Sequence, residues 1–409
     1  MWNIIRADEF CESVRDGTHD TPKPVEDGFK LVTSKHILNG RVYPEDAYCI
    51  SEKDFKKINE RSKVDKWDVL MSMIGNGLGK SAIIDYTPDF AIKNIALFKI
   101  GNEAKAKWLH YFLSSNYAQN VILNYLQGTG QPFLSLNLIR GFKIWNPPNT
   151  ILEKIVKILS CYDEAIENNN KRIKLLEQMA QNLYKEWFVR FRFPGYENCE
   201  FENGIPVGWN IQKLEDFGIV LESGSRPSGG VDINLEEGIP SLGAECIKGL
   251  AEFDYSNIKY IPLEFYEKMK RGKNKGNHIL LYKDGAYIGK VTLFRNQFPF
   301  KKYAINEHVF FLNSKNDNYL NWLFFTLKQD SYFNLMQNLN RNAAQPGLSQ
   351  LDICRIKLRI PQEDIVIKFN EFIEPLLTNV FNLSKANKNL AKQRDLLLPR
   401  LMSGKLEVR

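Results

Sequence analysis

Residues 151–188 read ILEKIVKILSCYDEAIENNNKRIKLLEQMAQNLYKEWF, and their apolar side chains recur every three or four residues. Such spacing is typical of a helix with one apolar seam that packs as in a coiled coil. Residues 365–401 read IVIKFNEFIEPLLTNVFNLSKANKNLAKQRDLLLPRL and repeat the pattern. The first seam comprises Ile151, Ile155, Ile158, Tyr162, Ile166, Asn169, Ile173, Leu176, Met179 or Ala180, Leu183 and Trp187, and the second comprises Ile365, Phe369, Phe372, Leu376, Val380, Leu383, Leu390, Leu397 and Leu401. Because the other positions are charged or rich in Asn and Lys, we expect the two helices to bury their seams against each other.

The order of the chain predicts the direction of these helices. Each follows a segment long enough to form its own hydrophobic core. The first helix leads from one globule to the next, and the second leaves the second globule. If the helices pack together, the second runs back toward the first globule and the pair is antiparallel. We therefore predict an α+β protein in which two mixed globules are joined by two long antiparallel helices that form a coiled-coil rod.

Length, charge and cysteine content narrow the class of protein. The 409 residues suffice for two domains and a connector. The net charge of +7 is compatible with a polyanionic partner and does not require one. Six scattered cysteines without a CxxC pair indicate a reducing compartment and argue against a structural zinc site. Without a membrane-length apolar run or a signal-peptide pattern, we expect a cytoplasmic protein that does not bind a membrane.

The two halves of the chain also resemble each other outside the helices. The matching pieces, in order, are WNI at Trp2 and Trp209, DGTHDTP over SGSRP, GFKLVTSKHI over GIPSLGAECI, GNGLGKSAI over GAYIGKVTL, AIKNIALF over AINEHVFF, WLHYFL over WLFFTL, and GQPFLS over AQPGLS. So many pieces in one order indicate a tandem duplication of a globule plus a helix.

This duplication predicts the organisation of the chain. Its segments are a globule at 1–147, a long helix at 148–190, a connector at 191–208, a globule at 209–361, and a long helix with a tail at 362–409. Each globule contains strand-like runs, KLVTS, WDVLMSMI and NIALFKI in the first and HILLYK, AYIGKVTLF and HVFFLN in the second. An aromatic helix is expected near the end of each globule, at Ala104–Leu126 and at Tyr319–Leu335. Each globule is therefore predicted to be α+β, with mostly antiparallel strands and helices to one side.

Two motifs look catalytic at first sight. GNGLGKS, from Gly75, suggests a phosphate-binding loop, but the pattern requires glycine where Ile74 stands. We expect a tight turn between strands, with Lys80 and its counterpart Lys290 as backbone contacts to DNA. NPPN, from Asn146, resembles the loop of adenine methyltransferases but has Asn149 in place of the aromatic residue, so we expect it to precede the long helix. No catalytic set or metal-ligand spacing is found, and His19 and His36 are expected to be polar surface residues.

Loops of both globules carry small hydroxyl, amide and basic side chains, the types that contact phosphates and base edges. The candidate DNA-binding residues are Thr18, His19, Thr21, Ser34, Lys35, Lys80 and Gln131 in the first globule and Ser225, Arg226, Ser228, Lys290, Arg341, Asn342 and Gln345 in the second. Two features stay open at this point. The repeated QPxLS is either an adenine-reading site or a turn before a strand, and KRGKNKGNH, from Lys270, either follows a DNA backbone or is a solvated hairpin tip.

Several of these pieces together resemble one family along the whole chain. They are DGTHDTP, the helix end LLEQMAQNLYKEWF followed by FPGYE and IPVGW, and the tail RDLLLPRLMSGKLEV. The chain resembles the specificity subunit of type I restriction-modification enzymes. The resemblance implies a non-catalytic subunit with two target recognition domains, each reading half of a split sequence in double-stranded DNA.

The resemblance also implies partners and their cofactors. Two methyltransferase (modification) subunits and, for cleavage, restriction/translocase subunits are expected around the helices. No cofactor is expected on this chain, whereas S-adenosylmethionine, ATP and magnesium are expected on the partners. Independently, a rod of this length spans about 55 Å, roughly one and a half turns of B-DNA. The alternatives are a self-contained DNA methyltransferase or nuclease, and a coiled-coil scaffold without a DNA role.

Overall fold

A computed structural model describes residues 2–125, 133–230, 235–285, 287–339 and 347–408 of the chain. These residues form two compact units. Unit 1 comprises Met1–Ile166 and Asn389–Arg409, and unit 2 comprises Glu167–Lys388. Each unit therefore contains one copy of the repeat together with part of both long helices.

Unit 1 contains short helices, short strands and the beginning of the first long helix. Its helices are α1 (Ala7–Phe10), α2 (Glu52–Ser62), α3 (Glu103–Ser114), α4 (Asn116–Asn124), α5 (Leu136–Arg140) and α6 (Asn149–Tyr184), of which the residues up to Ile166 belong here. Its strands are β1 (Asn3–Arg6), β2 (Ser13–Asp16), β3 (Phe29–Val32), β4 (Ile37–Leu38), β5 (Arg41–Val42), β6 (Cys49–Ile50), β7 (Val69–Ser72), β8 (Ser81–Ile83), β9 (Ala91–Ile92), β10 (Ile95–Lys99) and β11 (Lys143–Asn146).

Unit 2 has a corresponding set of elements. Its strands are β12 (Phe201–Glu202), β13 (Ile205–Pro206), β14 (Asn210–Lys213), β15 (Ile219–Ser223), β16 (Ile239–Leu242), β17 (Tyr260–Ile261), β18 (His278–Tyr282), β19 (Val291–Phe294), β20 (Ala304–Ile305), β21 (Val309–Ser314) and β22 (Lys357–Ile360). Its helices are α7 (Leu263–Lys268), α8 (Leu320–Leu327), α9 (Asp330–Asn338), α10 (Gln350–Cys354) and α11 (Glu363–Met402), of which the residues up to Lys388 belong here. A π-helical turn, Lys185–Val189, follows α6.

Sheet topology confirms the duplication. Unit 1 has an antiparallel sheet of order β2-β10-β7-β8, and unit 2 has the same sheet in the order β15-β21-β18-β19. A three-stranded sheet with one parallel pair also recurs, as β6-β3-β9 and as β17-β16-β20. The pairs β1–β11 and β14–β22 complete the match. The predicted α+β class and mostly antiparallel pairing are therefore confirmed.

The aromatic helix of each unit packs on its four-stranded sheet. Trp108 of α3 and Trp322 of α8 are both buried, as their equivalent places in the repeat require. The prediction of a single helix at Ala104–Leu126 is wrong, because the backbone is extended at Ser115. Ser115 Oγ accepts a hydrogen bond from the Ala118 N–H and so caps the start of a separate helix, α4. The prediction of one helix at Tyr319–Leu335 is wrong in the same way, since an extended Gln329 separates α8 from α9.

Inside unit 2 the two long helices are antiparallel, as predicted. Asn169 near the start of this part of α6 donates to Asn387 of α11 over 2.8 Å, whereas Trp187, after the end of α6, packs on Phe369. As residue numbers rise along one helix they fall along the other. No helix among the residues that the structure describes is both long and apolar enough to cross a membrane.

The predicted seams are only partly correct. In unit 2 the buried face of α11 is formed by Ile365, Val366, Phe369, Ile373, Leu377, Val380 and Phe381, and Phe372 is 55% exposed. These side chains share a core with the sheet and with α8, for example through Phe298 on Phe381 and Phe325 on Phe369. The helices therefore bury their stripes largely against their own globules. Periodicity indicates an apolar face but not the neighbour that covers it.

Candidate nucleic-acid interface

Three loops of unit 1 form a groove of about 410 Å³. The turn after β3 supplies Ser34 and Lys35, the β7–β8 connection supplies Lys80, and the β9–β10 connection supplies Asn94. Both lysines are exposed. The groove therefore joins two cations, a hydroxyl and an amide, which is a donor-rich surface for a polyanion.

The β7–β8 connection is a hairpin turn, not a nucleotide-binding loop. Met71 pairs with Ser81 across antiparallel strands, and the Gly79 N–H donates to Ser72 O over 3.0 Å. A phosphate-binding loop of the GxxxxGKS type leads from a strand into a helix. The same hairpin recurs in unit 2, where the Gly289 N–H donates to Tyr282 O over 2.9 Å and Lys290 is exposed.

His36 stabilises the turn that presents Ser34 and Lys35. Burial lowers the pKa of His36, and its Nδ1 lies 2.9 Å from the Thr33 N–H, which donates to it. The expectation that His36 is a surface residue is wrong, because its ring is buried behind the turn. Ser34 Oγ is buried and has no hydrogen-bond partner among the residues that the structure describes.

The DGTHDTP loop of unit 1 lies against the β9–β10 connection. A Cβ on Gly17 would lie 2.3 Å from Ile92 O, so only glycine permits this close approach. His19 is 62% exposed, with Nδ1 2.8 Å from Asn94 Oδ1 and Nε2 2.9 Å from Asp16 Oδ2. Arg61 in turn lies 3.0 Å from Asp16. The loop thus connects His19 to the groove through Asn94.

The remaining candidates of this loop make contacts within unit 1. Thr18 Oγ1 accepts from the Asp20 N–H over 3.1 Å, and Thr21 Oγ1 accepts from Lys93. Thr21 is exposed and Thr18 is half-buried.

Unit 2 presents the equivalent loop in the same way. A Cβ on Gly224 would lie 1.7 Å from Ile305 O, matching the close approach at Gly17. Arg226 Nε lies 2.5 Å from Glu307 Oε1, and Ser225 and Ser228 are exposed. The basic KRGKNKGNH segment lies beside this loop, because a Cβ on Gly272 would meet Gly224 Cα at 2.6 Å.

Gln131, Arg341, Asn342 and Gln345 lie outside the residues that the structure describes. Among the others, the structure brings Ser34, Lys35 and Lys80 together, and it places His19 and Arg226 at matching positions. Their partners Asn94 and Glu307 were not among the predicted site residues. The alignment of AIKN over AINE contained that signal, since it sets Asn94 over Glu307.

The second catalytic-looking motif is structural. Asn146 ends β11 and Asn149 begins α6, so NPPN connects a strand to the long helix as predicted. Within the described ranges, no group of three or more His, Cys, Asp or Glu side chains is placed to hold a metal ion.

Comparisons with known proteins agree with these features. The family described as type I restriction modification DNA specificity domain matches residues 1–178 and again residues 206–390. The chain is 28% identical over 309 residues to the type I restriction enzyme MjaIX specificity subunit of Methanocaldococcus jannaschii, covering 74% of this chain and 69% of that protein. It is 21% identical to the MjaVIII specificity subunit of the same organism, covering 100% of this chain and 93% of that one.

The fold is also similar to that of a solved structure. The S subunit of a type I restriction-modification system from M. genitalium superimposes with a TM-score of 0.54 at 15% identity. The match covers 98% of this chain and 96% of that chain.

Proposed function

We propose, because this chain belongs to the DNA specificity family of type I restriction-modification systems, that unit 1 and unit 2 each read one half of a split DNA sequence. The chain is the DNA-recognition subunit and is itself non-catalytic. The reading function is assigned to residues 1–147 and 209–361. These two segments are the copies of the repeat without the long helices and without the connector at 191–208.

The recurrence of exposed polar loops at matching places in the two units carries this proposal. Lys80 and Lys290 occupy equivalent positions in the corresponding hairpins of the two units. The loops at Gly17 and Gly224 each approach a neighbouring backbone carbonyl closely. Two copies of one scaffold with different loop side chains suit two unrelated half-sites.

Roles follow from side-chain chemistry. Lys35, Lys80 and Lys290 are exposed cations and are assigned to phosphates. Hydroxyl groups such as those of Ser34, Ser225 and Ser228 suit either phosphates or base edges. Gln131 and Gln345, which align in the repeat, are assigned to base edges on sequence grounds alone, and so are Arg341 and Asn342.

The long helices are assigned to spacing and docking. α6 has 36 residues and about 54 Å of helix, and residues of α6 and α11 belong to both units. Leu175, Met179 and Phe372 leave large apolar side chains exposed on these helices in unit 2. Exposed apolar positions on a helix suit packing by partner helices.

The partners are proposed to be two methyltransferase (modification) subunits and, for cleavage, restriction/translocase subunits. S-adenosylmethionine, ATP and magnesium are assigned to those partners, and the complex is assigned to the cytoplasm. In this scheme the chain places a methylating site of its partner on one adenine in each half-site.

Selection from a randomised duplex pool, with the chain co-expressed with its methyltransferase partner, tests the proposal. We expect enrichment of two short motifs separated by an unread gap of constant length. A single continuous motif would overturn the two-reader scheme, and absence of salt-dependent DNA affinity would favour the scaffold alternative. Methyl transfer to DNA by the purified chain alone would favour the methyltransferase alternative.

The spacing role has its own test. One heptad inserted into each of α6 and α11, outside the segments buried in the cores, is expected to lengthen the gap and leave both half-site sequences unchanged. Altered half-site bases would contradict the spacing role.

A further inference from the structure

One pair of facing side chains occupies the same place in both units with different chemistry. His19 aligns with Arg226, and Asn94 aligns with Glu307. The structure brings each pair into contact, His19 with Asn94 at 2.8 Å and Arg226 with Glu307 at 2.5 Å. The position of the contact is therefore retained after duplication, whereas its charge and hydrogen-bonding pattern differ.

In unit 1 the member of the pair that lines the groove is Asn94. Its backbone has φ of +54°, and its N–H donates to Thr18 O over 3.1 Å, so the residue is held in a left-handed turn. His19 uses both ring nitrogens, on Asn94 and on Asp16. Asn94 Oδ1 retains a second lone pair and its amide nitrogen is a donor, which is the combination that pairs with adenine N6 and N7.

In unit 2, as in unit 1, the residue on the loop after the glycine is the more exposed member of the pair. The Arg226 side chain is 45% exposed and its ion pair is made through Nε. Glu307 Oε2 is buried and has no hydrogen-bond partner within the described part of the chain, and Glu307 Oε1 also lies 3.5 Å from His308 Nε2. Glu307 is 33% exposed, and its carboxylate orients a guanidinium whose terminal amino groups match guanine O6 and N7.

We propose that this pair is a specificity-determining position in both units, with Asn94 reading an adenine in one half-site and Arg226 reading a guanine in the other. His19 and Glu307 are positioning residues that hold the two readers. The proposal rests on the proposed function, since it names the bases that the two reading units contact.

The test uses the chain in complex with its methyltransferase partner, on duplexes that vary one base at a time within each selected half-site. Arg226→Lys keeps the charge and removes the planar fork. We expect it to lower the preference for guanine at one position by about tenfold, with the other half-site unchanged. Asn94→Ala is expected to lower the preference for adenine at one position of the opposite half-site by a similar factor.

The positioning role of Glu307 has a separate readout. Glu307→Gln is expected to weaken the guanine preference while leaving the salt dependence of binding to unrelated DNA unchanged, and Glu307→Asp is expected to restore part of it. Arg359→Lys on β22 and Asn120→Ala on α4 are matched controls at exposed positions away from the loops. In every variant the unaffected half-site serves as an internal check of folding.

The outcomes separate the pair from the broader scheme. The wild type could select two half-sites while Arg226→Lys and Asn94→Ala keep its base preferences. This result would overturn the specificity role of the pair and leave the proposed function intact. A half-site could instead show a preference for cytosine that Glu307→Gln loses and Arg226→Lys keeps. This result would mean that Glu307 reads the base, since a carboxylate accepts a hydrogen bond from cytosine N4, and it would overturn Arg226 as the reader. Failure of the wild-type complex to select any split motif would overturn the proposed function itself.

Discussion

Both units bury apolar side chains of the long helices in their cores, and they differ in the polar contacts that accompany this burial. In unit 1, Asp163 of α6 accepts hydrogen bonds from Tyr111 of α3 and from Arg394 of α11, each at 2.5 Å. In unit 2, Phe369 of α11 is fully buried among aromatic rings, and Arg295, only 8% exposed, pairs with Glu374 at 2.5 Å. The duplicated backbone is the same, so the attachment of a helix has diverged while the topology has not.

Each unit therefore stabilises the helix segments that belong to it. In unit 1 the polar contact joins both helices to each other and to α3, with Asp163 38% exposed. In unit 2 the ion pair joins Glu374 of α11 to Arg295, directly after β19. The contribution of each contact to stability can be measured separately.

The largest effect is expected from Phe369→Ala. The ring packs against Phe188, Trp187 and Phe325, so its removal leaves a cavity in the core of unit 2. We expect the free energy of unfolding of unit 2 to fall by about 3–5 kcal/mol. Urea unfolding followed by tryptophan fluorescence measures it. Phe372→Ala, on the exposed side of the same helix, is the control and should cost less than about 1 kcal/mol.

The two polar attachments come next. Glu374→Ala leaves the buried guanidinium of Arg295 without its carboxylate and is expected to cost about 2–3 kcal/mol, less than a fully buried pair because Glu374 is half-exposed. Asp163→Ala is expected to cost about 1 kcal/mol, because Asp163 is 38% exposed and its partner Arg394 keeps 29% of its side chain in water. Glu371→Ala, exposed on α11, controls for helix charge. Equal losses at Glu374 and Asp163 would remove the contrast.

The third effect depends on pH and belongs to unit 1. Burial lowers the pKa of His110 from 6.5 to about 4, and its Nδ1 lies 2.9 Å from Ser81 Oγ. The unfolded chain takes up a proton below pH 6.5 that the folded ring resists. The contribution of neutral His110 to the free energy of unfolding is therefore fully present above pH 6.5 and is lost as the pH falls toward 4.

His110→Gln is expected to reduce that loss by about 1–2 kcal/mol. Thermal unfolding between pH 7 and pH 4 measures it. His308→Gln, on a partly exposed histidine of unit 2, is the matched control. A wild-type acid dependence that is unchanged in His110→Gln would show that this histidine does not contribute.

The smallest effect is expected at an asparagine cluster. Asn387 accepts from Asn169 and donates to Asn170, each over 2.8 Å, between the helices in unit 2. Asn387→Ala should change the free energy of unfolding by about 0.5 kcal/mol, because these amides are partly hydrated. A loss above about 2 kcal/mol in urea unfolding would mean that these contacts rather than the apolar core secure the helices.

Local sequence patterns predicted much of the fold. Short apolar runs located strands such as β10 and β21, and apolar residues spaced three or four positions apart located α6 and α11. The same patterns failed at Ser115, where a side-chain cap ended a helix whose apolar residues continue beyond it. They also misassigned Phe372, which continues the period of the seam and lies on the exposed side of the helix.

The candidate site was predicted in part. Lys35 and Lys80 are neighbours on the groove although 45 positions separate them, a closeness that β3, β7 and β8 create. Their residue types pointed to DNA, whereas the contacts of His19 with Asn94 and of Arg226 with Glu307 join parts of the chain that no short-range pattern connects.

The sequence by itself determined the duplication, the two long helices, the α+β class and the family, because each is written in the order and spacing of residues along the chain. Only the tertiary structure decided which face of each helix is buried, which loops line the groove and which side chains face each other. Those outcomes depend on contacts between residues far apart in the chain, and the free energy of such contacts is set by three-dimensional packing.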